Sequence, residues 1–183
     1  MTRSELEHIV RAAGEITRQI QIVVIGSQAI LGSVPNAGAV LLASMEADLF
    51  PLHAPELADE TDGAIGEGSL FHEQFGYYAH GVGPETATLP EGWRARLVSI
   101  RNASTCNVEG LCLEVHDLAI AKYVAGREKD LLFTRELARQ RLTHKKVLGA
   151  RLAVTSVHVE VRTLVRTRIG RDFRGRRAPS KLV

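Results

Sequence analysis

Residues 22–50 read IVVIGSQAILGSVPNAGAVLLASMEADLF, and the fold expectation grows outward from them. The stretch opens on a β-branched run, Ile22-Val23-Val24-Ile25, short enough for one buried strand. It breaks at Gly26-Ser27, and residues 27–31 then read as the start of a helix. A glycine at a strand end lets the backbone turn sharply and approach a ligand closely. The helix start that follows offers unpaired N–H groups and a positive dipole end, which together favour a phosphate. Gly32-Ser33 is a second Gly-Ser pair, but Gly26-Ser27 follows the strand directly and is preferred. Residues 32–38 read as a loop, and residues 40–50 as a second strand that Pro51 ends.

That second strand carries Glu46 and Asp48, two positions apart. Residues i and i+2 of a strand point to the same face, so two carboxylates stand side by side. Their repulsion is costly unless a cation lies between them. Mg²⁺ takes hard oxygen ligands and shares them with substrate phosphates. Such an ion polarises an α-phosphate and neutralises a leaving pyrophosphate. Strand, Gly-Ser turn, helix and acidic strand thus point to a metal-dependent nucleotidyl-transfer site.

Around this centre the chain alternates helices and strands. Residues 4–18 have apolar positions at helical spacing, and Ser4 with Glu7 forms a capping-box pattern. Residues 54–65 predict an acidic helix with Pro55 in its first turn. Residues 66–84 are rich in Gly and aromatics and read as a loop; His72 and His80 within it read as structural. Residues 93–100 begin with Trp93, Ala95 and Leu97 alternating against Arg94 and Arg96, the pattern of a strand, and residues 110–115 suggest another. Helices are expected over 116–122, 128–141 and 144–153, with Asp117 near the start of the first, where an acid is favoured. Lys122 lies among apolar residues, where it either snorkels outward or reaches a triphosphate. Arg127-Glu128-Lys129-Asp130 reads as a salt-bridged helix start.

The 183 residues, 45% of them hydrophobic, suffice for one core without covalent staples. Cys106 and Cys112 are too few for a disulfide framework or a zinc site and read as reduced thiols. No apolar run approaches the roughly 20 residues of a membrane span, and Met1 to Glu7 is acidic rather than signal-like. A cytoplasmic location without membrane contact is the expectation. Net charge is only +2, yet residues 46–91 contain no Lys or Arg, and beyond residue 161 eight cations face Asp172 alone. A metal at one end and a polyanion at the other fit that asymmetry. The expected class is α+β: a core over 1–115, a helical part over 116–160, and a basic tail over 161–183.

Three segments together resemble a known group: Ile22-Val23-Val24-Ile25-Gly26-Ser27-Gln28-Ala29-Ile30-Leu31-Gly32, Ser44-Met45-Glu46-Ala47-Asp48, and Lys122-Tyr123-Val124-Ala125-Gly126-Arg127-Glu128-Lys129-Asp130. They look like a bacterial family of nucleotidyltransferase-like proteins similar to the AbiEii toxins of type IV toxin–antitoxin systems. The resemblance spans roughly residues 5–145. It implies a polymerase-β-type nucleotidyltransferase core, a small mixed sheet flanked by helices, followed by a helical C-terminal part. By position, Gly26 and Ser27 match the phosphate turn, and Glu46 and Asp48 the metal-binding pair. Lys122 and Asp130 match the toxins' later lysine and aspartate. The implied chemistry moves an NMP from a nucleoside triphosphate to an RNA, tRNA included, or to a protein, with Mg²⁺ as cofactor and an antitoxin as partner. The alternative is a degenerate member that acts by binding. The first acid is Glu46 where the superfamily usually has Asp, and the third carboxylate that many members carry falls to Glu114 or Asp130.

Overall fold

The structure, a computed structural model, describes residues 1–174. Along the chain run α1 (Arg3–Thr17), β1 (Gln21–Val24), α2 (Ile30–Ser33), β2 (Glu46–Pro51), α3 (Ala58–Ile65), α4 (Leu70–Phe75), β3 (Tyr78–Gly81), β4 (Val98–Ile100) and β5 (Glu109–Cys112). Four helices follow: α5 (Val115–Ala125), α6 (Glu128–Arg139), α7 (Lys145–Ala153) and α8 (Val159–Asp172). The architecture is a five-stranded mixed sheet with helices, as an α+β fold requires. Its order is β3-β2-β1-β5-β4.

The β-branched run of β1 lies at the centre, antiparallel to β2 and parallel to β5. Ile22, Val23 and Val24 have no exposed surface, which accounts for the lack of polar alternation in that strand. β3 joins the far side of β2 in parallel. α1 lays Leu6, Ile9, Val10 and Ala13 into the core. Its cap is not the expected Ser4–Glu7 box. The helix begins at Arg3, so Thr2 is the N-cap, and Thr2 and Glu5 exchange bonds of 3.3 and 2.6 Å. Glu7 instead accepts from Arg3 and Asn102.

Four other expectations change. Residues 40–45 are not strand. The Met1 ammonium donates to Leu42 O and Ser44 O, and that bend drops Leu41 into the core. The aromatic loop over 66–84 contains α4 and β3, because β2 supplies a pairing edge. Residues 93–96 form a 3₁₀ turn after left-handed Gly92, and only Val98–Ile100 is strand. The Arg96 guanidinium reaches inward to Asp117 at 2.7 Å, so Arg96 does not alternate outward. Finally, the expected boundary at 160/161 falls inside α8.

α5 is the hub of the helical part. Its residues from Val115 to Ile120 are all buried, and it packs on α6, α7 and α8. Asp117, fully buried, is clamped by Arg96 at 2.7 Å and Arg151 at 3.0 Å. Much of the basic C-terminal charge is committed internally. Arg162 donates to Leu152, Ala153 and Thr155 carbonyls, Arg168 to Tyr123 O at 2.6 Å, and Arg171 to Asp172 at 3.2 Å. Arg176, Arg177 and Lys181 lie outside the described residues. No helix among the described residues is long and apolar enough to cross a membrane. Cys106 and Cys112 are both free thiols, the first exposed and the second buried.

Candidate functional site

Along β2, Ala47 and Leu49 are fully buried, so alternation turns Glu46 and Asp48 to the opposite face. The acids line a cavity of about 780 Å³ between the sheet and helices α5 and α6. Gly26 and Ser27 lie at its sheet side, Lys122, Arg127, Lys129 and Asp130 at its helical side. All six residues expected to carry the chemistry therefore border one cavity. Val40, Leu41, Leu132 and Phe133 give it an apolar portion. Its volume is in the range of ordinary small-molecule sites.

Gly26 is required by close approach rather than by its dihedral angles. A Cβ built on it would lie 1.9 Å from Asp48 Oδ2. The strands are locked beside this contact by Ile25 N–H donating to Asp48 O at 3.0 Å. The helix expected after the turn is small: a 3₁₀ turn over Ser27–Ala29 and then four residues of α2. Its dipole is correspondingly weak.

Sequence reading missed His80. β3 pairs with β2 in the register Glu46↔Tyr78 and Asp48↔His80, which sets the two residues beside the two acids. His80 Nδ1 is 3.1 Å from Asp48 Oδ1 and 3.3 Å from Glu46 Oε1. Tyr78 Oη donates to Glu46 Oε2 at 3.3 Å. The available signal was the i, i+2 spacing of Tyr78 and His80, which repeats that of Glu46 and Asp48. Glu114 is placed elsewhere. It is the N-cap of α5, accepting from the His116 and Asp117 N–H groups, and its other oxygen meets His116 Nδ1 at 2.6 Å. It does not border the cavity.

Across the cavity, Asp130 is buried and bonds Lys122 Nζ at 3.1 Å and Arg127 Nε at 2.7 Å. Lys122 also stands 5.8 Å from the centre of the Phe133 ring. Gly126, left-handed at φ 66°, ends α5 and allows the turn that brings Asp130 back to Lys122.

Charge at the site is asymmetric. Burial raises the Glu46 carboxyl, but hydrogen bonding to Asp48, the His80 charge and the Tyr78 hydroxyl outweigh it and hold the group below the usual carboxylate range. In Asp48, burial and the proximity of Glu46 outweigh His80 and Lys122, so its carboxyl is pushed up. Burial pulls the His80 imidazole down, yet the two acids raise it above its ordinary value. Burial and the Glu46 charge push the Tyr78 hydroxyl up to about 12. Asp130 shows the reverse of Asp48: burial would raise it, but Arg127 and Lys122 hold it low.

No Lys or Arg among the described residues bonds to Glu46 or Asp48, although the two crowd one another. His80 is their basic partner, and a crowded carboxylate pair with an imidazole beside it is a donor set that fits a divalent cation.

A family described as nucleotidyltransferase of unknown function (DUF6036) matches residues 4–146, more than three quarters of the chain. The chain belongs to that family. The matched segment contains β1 through α6, and with them every residue discussed at the cavity. No curated protein and no solved structure matches the chain.

Proposed function

We propose that this member of the family is a divalent-cation-dependent nucleotidyltransferase that moves an NMP group from a nucleoside triphosphate to an acceptor hydroxyl. The observation that carries the reading is the convergence of Glu46 and Asp48 with Lys122, Arg127 and Asp130 across one nucleotide-sized cavity. Glu46 and Asp48 would hold the divalent cation, which would supply Lewis-acid stabilisation of the phosphates. Gly26 and Ser27 seat the β- and γ-phosphates. Lys122 neutralises charge on them, and Asp130 fixes its ammonium from 3.1 Å. With its carboxyl held low by two cations, Asp130 suits orienting better than accepting a proton. The acceptor oxygen bonds to the α-phosphorus, the bond to pyrophosphate breaks, and the acceptor proton leaves to solvent. Positioning and electrostatics do most of the work in such transfers. The acceptor is an RNA, with tRNA as the first to test, or a protein, and a toxin-like role held in check by an antitoxin rests only on the resemblance of the three sequence segments.

The test is labelling of RNA or protein by the purified chain with Mg²⁺ and an α-labelled nucleoside triphosphate. Asp48→Ala must abolish the label; label that survives the change rejects the site. One observation favours a second reading. With Glu114 spent as a helix cap and Asp130 bonded to two cations, no free third carboxylate borders the cavity among the described residues. A protein that binds nucleotide or a partner without transfer has that property. Calorimetry separates the readings: nucleotide binding in the absence of any labelling selects the second.

A further inference from the structure

The position beside the acidic pair is occupied by an imidazole rather than a carboxylate. This follows from the parallel register of β2 and β3, which sets His80 directly opposite Asp48. One ligand atom from each of Glu46, Asp48 and His80 lies within 4.8 Å of the other two. Neighbouring donors on an octahedral ion with bonds of about 2.1 Å stand about 3.0 Å apart. His80 Nδ1 stands 3.1 Å from Asp48 Oδ1 and 3.3 Å from Glu46 Oε1. Without an ion these contacts are a hydrogen bond and an ion pair, and an ion entering among the three atoms need only displace the proton they share. Tyr78 Oη holds the other Glu46 oxygen, which leaves Oε1 turned toward His80. Partners of that kind orient metal ligands. The His80 side chain is half exposed at the cavity, so the site is open on the side from which phosphate oxygens would arrive.

We propose that His80 Nδ1 is the third protein ligand, and that this Glu–Asp–His site selects Mn²⁺ over Mg²⁺. The proposal rests on the reading of the acidic pair as a cation site. Mg²⁺ takes an all-oxygen shell, whereas imidazole nitrogen suits transition ions. Two carboxylates beside that nitrogen keep the set hard. The open face leaves room for an octahedral shell completed by water and phosphate oxygens.

The experiment uses the full chain and two probes. Mn²⁺ binding is followed by electron paramagnetic resonance, with Mg²⁺ as competitor, for the wild type, His80→Ala, His80→Asp and Asp48→Asn. The wild type is expected to bind Mn²⁺ more tightly than Mg²⁺ by at least about tenfold. Its spin-echo spectrum carries the modulation of a directly bound ¹⁴N. His80→Ala loses that modulation and weakens Mn²⁺ binding about 10- to 100-fold, with little change for Mg²⁺. His80→Asp, with three carboxylates, loses the ¹⁴N modulation and narrows the preference for Mn²⁺. A wild-type spectrum without bound nitrogen overturns the proposal, whatever the variants do, so a misfolded His80→Ala leaves the test intact. Labelling with Mg²⁺ together with unchanged affinities in His80→Ala overturns the ligand assignment and leaves the transferase reading standing. Nitrogen-bound Mn²⁺ that Asp48→Asn abolishes, with no labelling in either metal, upholds the assignment and removes the transferase reading instead.

Discussion

Gly26→Ala separates the contribution of space from that of backbone freedom at the heart of the site. Gly26 has φ −75° and ψ −169°, angles that alanine adopts without strain. The whole effect must therefore come from the new methyl. It would meet Asp48 Oδ2 at 1.9 Å, Cγ at 2.7 Å and Cβ at 2.9 Å. Non-bonded carbons prefer about 3.5–4.0 Å. Rotating the carboxylate away relieves the first two contacts but not the third. The third requires the strand ends to part, against the Ile25–Asp48 backbone bond of 3.0 Å. Overpacking of this kind costs about 1–3 kcal/mol, and each kcal/mol lowers Tm by about 2–4 °C at this chain length. A fall of about 4–8 °C in scanning calorimetry is expected from a cost near 2 kcal/mol. The displaced carboxylate should also lower the labelling rate by about 100-fold, the usual consequence of an ångström's misplacement. A double-mutant cycle isolates the cause. In Asp48→Gly the Oδ2, Cγ and Cβ contacts are all gone, so adding Gly26→Ala should cost at least about 1 kcal/mol less than in the wild type. Equal costs in both backgrounds would refute the claim that Gly26 exists to admit Asp48.

Two further substitutions probe the two walls of the cavity. Asp48→Asn removes a carboxyl that burial and Glu46 push up, so it should stabilise the fold by about 0.5–2 kcal/mol in urea unfolding while abolishing divalent-cation binding. A destabilised Asn variant would show that the acidic pair is not strained. Asp130→Asn does the opposite, because it leaves Lys122 and Arg127 without their buried partner. Loss of one member of a buried pair costs about 3–5 kcal/mol, and the exposure of Arg127 places this case at about 3. The pH dependence has a definite sign. The folded Asp130 carboxyl lies below its ordinary 3.8, so its contribution is present above that value and is lost as pH falls through the lower folded one. The stability difference between wild type and Asp130→Asn should therefore shrink as pH falls below 3.8 and stay constant between pH 5 and 7. A difference that grows toward acid would reverse the assignment.

What the sequence discloses depends on where the deciding force lies. β1 was legible because a fully buried central strand needs a β-branched run, and Ile22-Val23-Val24 is one. α1 was legible from its apolar stripe, although its cap lay two residues earlier than expected. β3 was hidden because Tyr78-Ala79-His80-Gly81 has little strand preference of its own; the edge of β2 and the fully buried Ala79 decide it. Residues 40–43 misled because apolar character was taken for extension, whereas a bend fixed by the Met1 ammonium puts Leu41 inside. α8 escaped notice because its arginines interrupt any apolar stripe, and only Val165, Ile169 and Asp172 are buried. The acids and Lys122 are visible as residue types at telling spacings. The place of His80 among them is a matter of strand register, which a single sequence does not display.

The cationic wall is also held from behind. Tyr123, next to Lys122 on α5, is 1% exposed, and its hydroxyl donates to Asp172 at 3.0 Å. Thr134 on α6 reaches the same carboxylate at 3.5 Å, and Arg168 caps the Tyr123 carbonyl at 2.6 Å. Asp172 and Arg168 belong to α8, beyond the segment 4–146 that defines the family. A buried carboxylate that bridges α5 and α6 fixes the relative position of the two helices at the turn where Gly126 reverses the chain. Lys122 precedes that turn and Asp130 follows it, so their 3.1 Å bond depends on the same placement. The geometry of the cavity is therefore shared between residues inside the family segment, which line it, and residues outside it, which set the angle of the helices that bear Lys122 and Asp130.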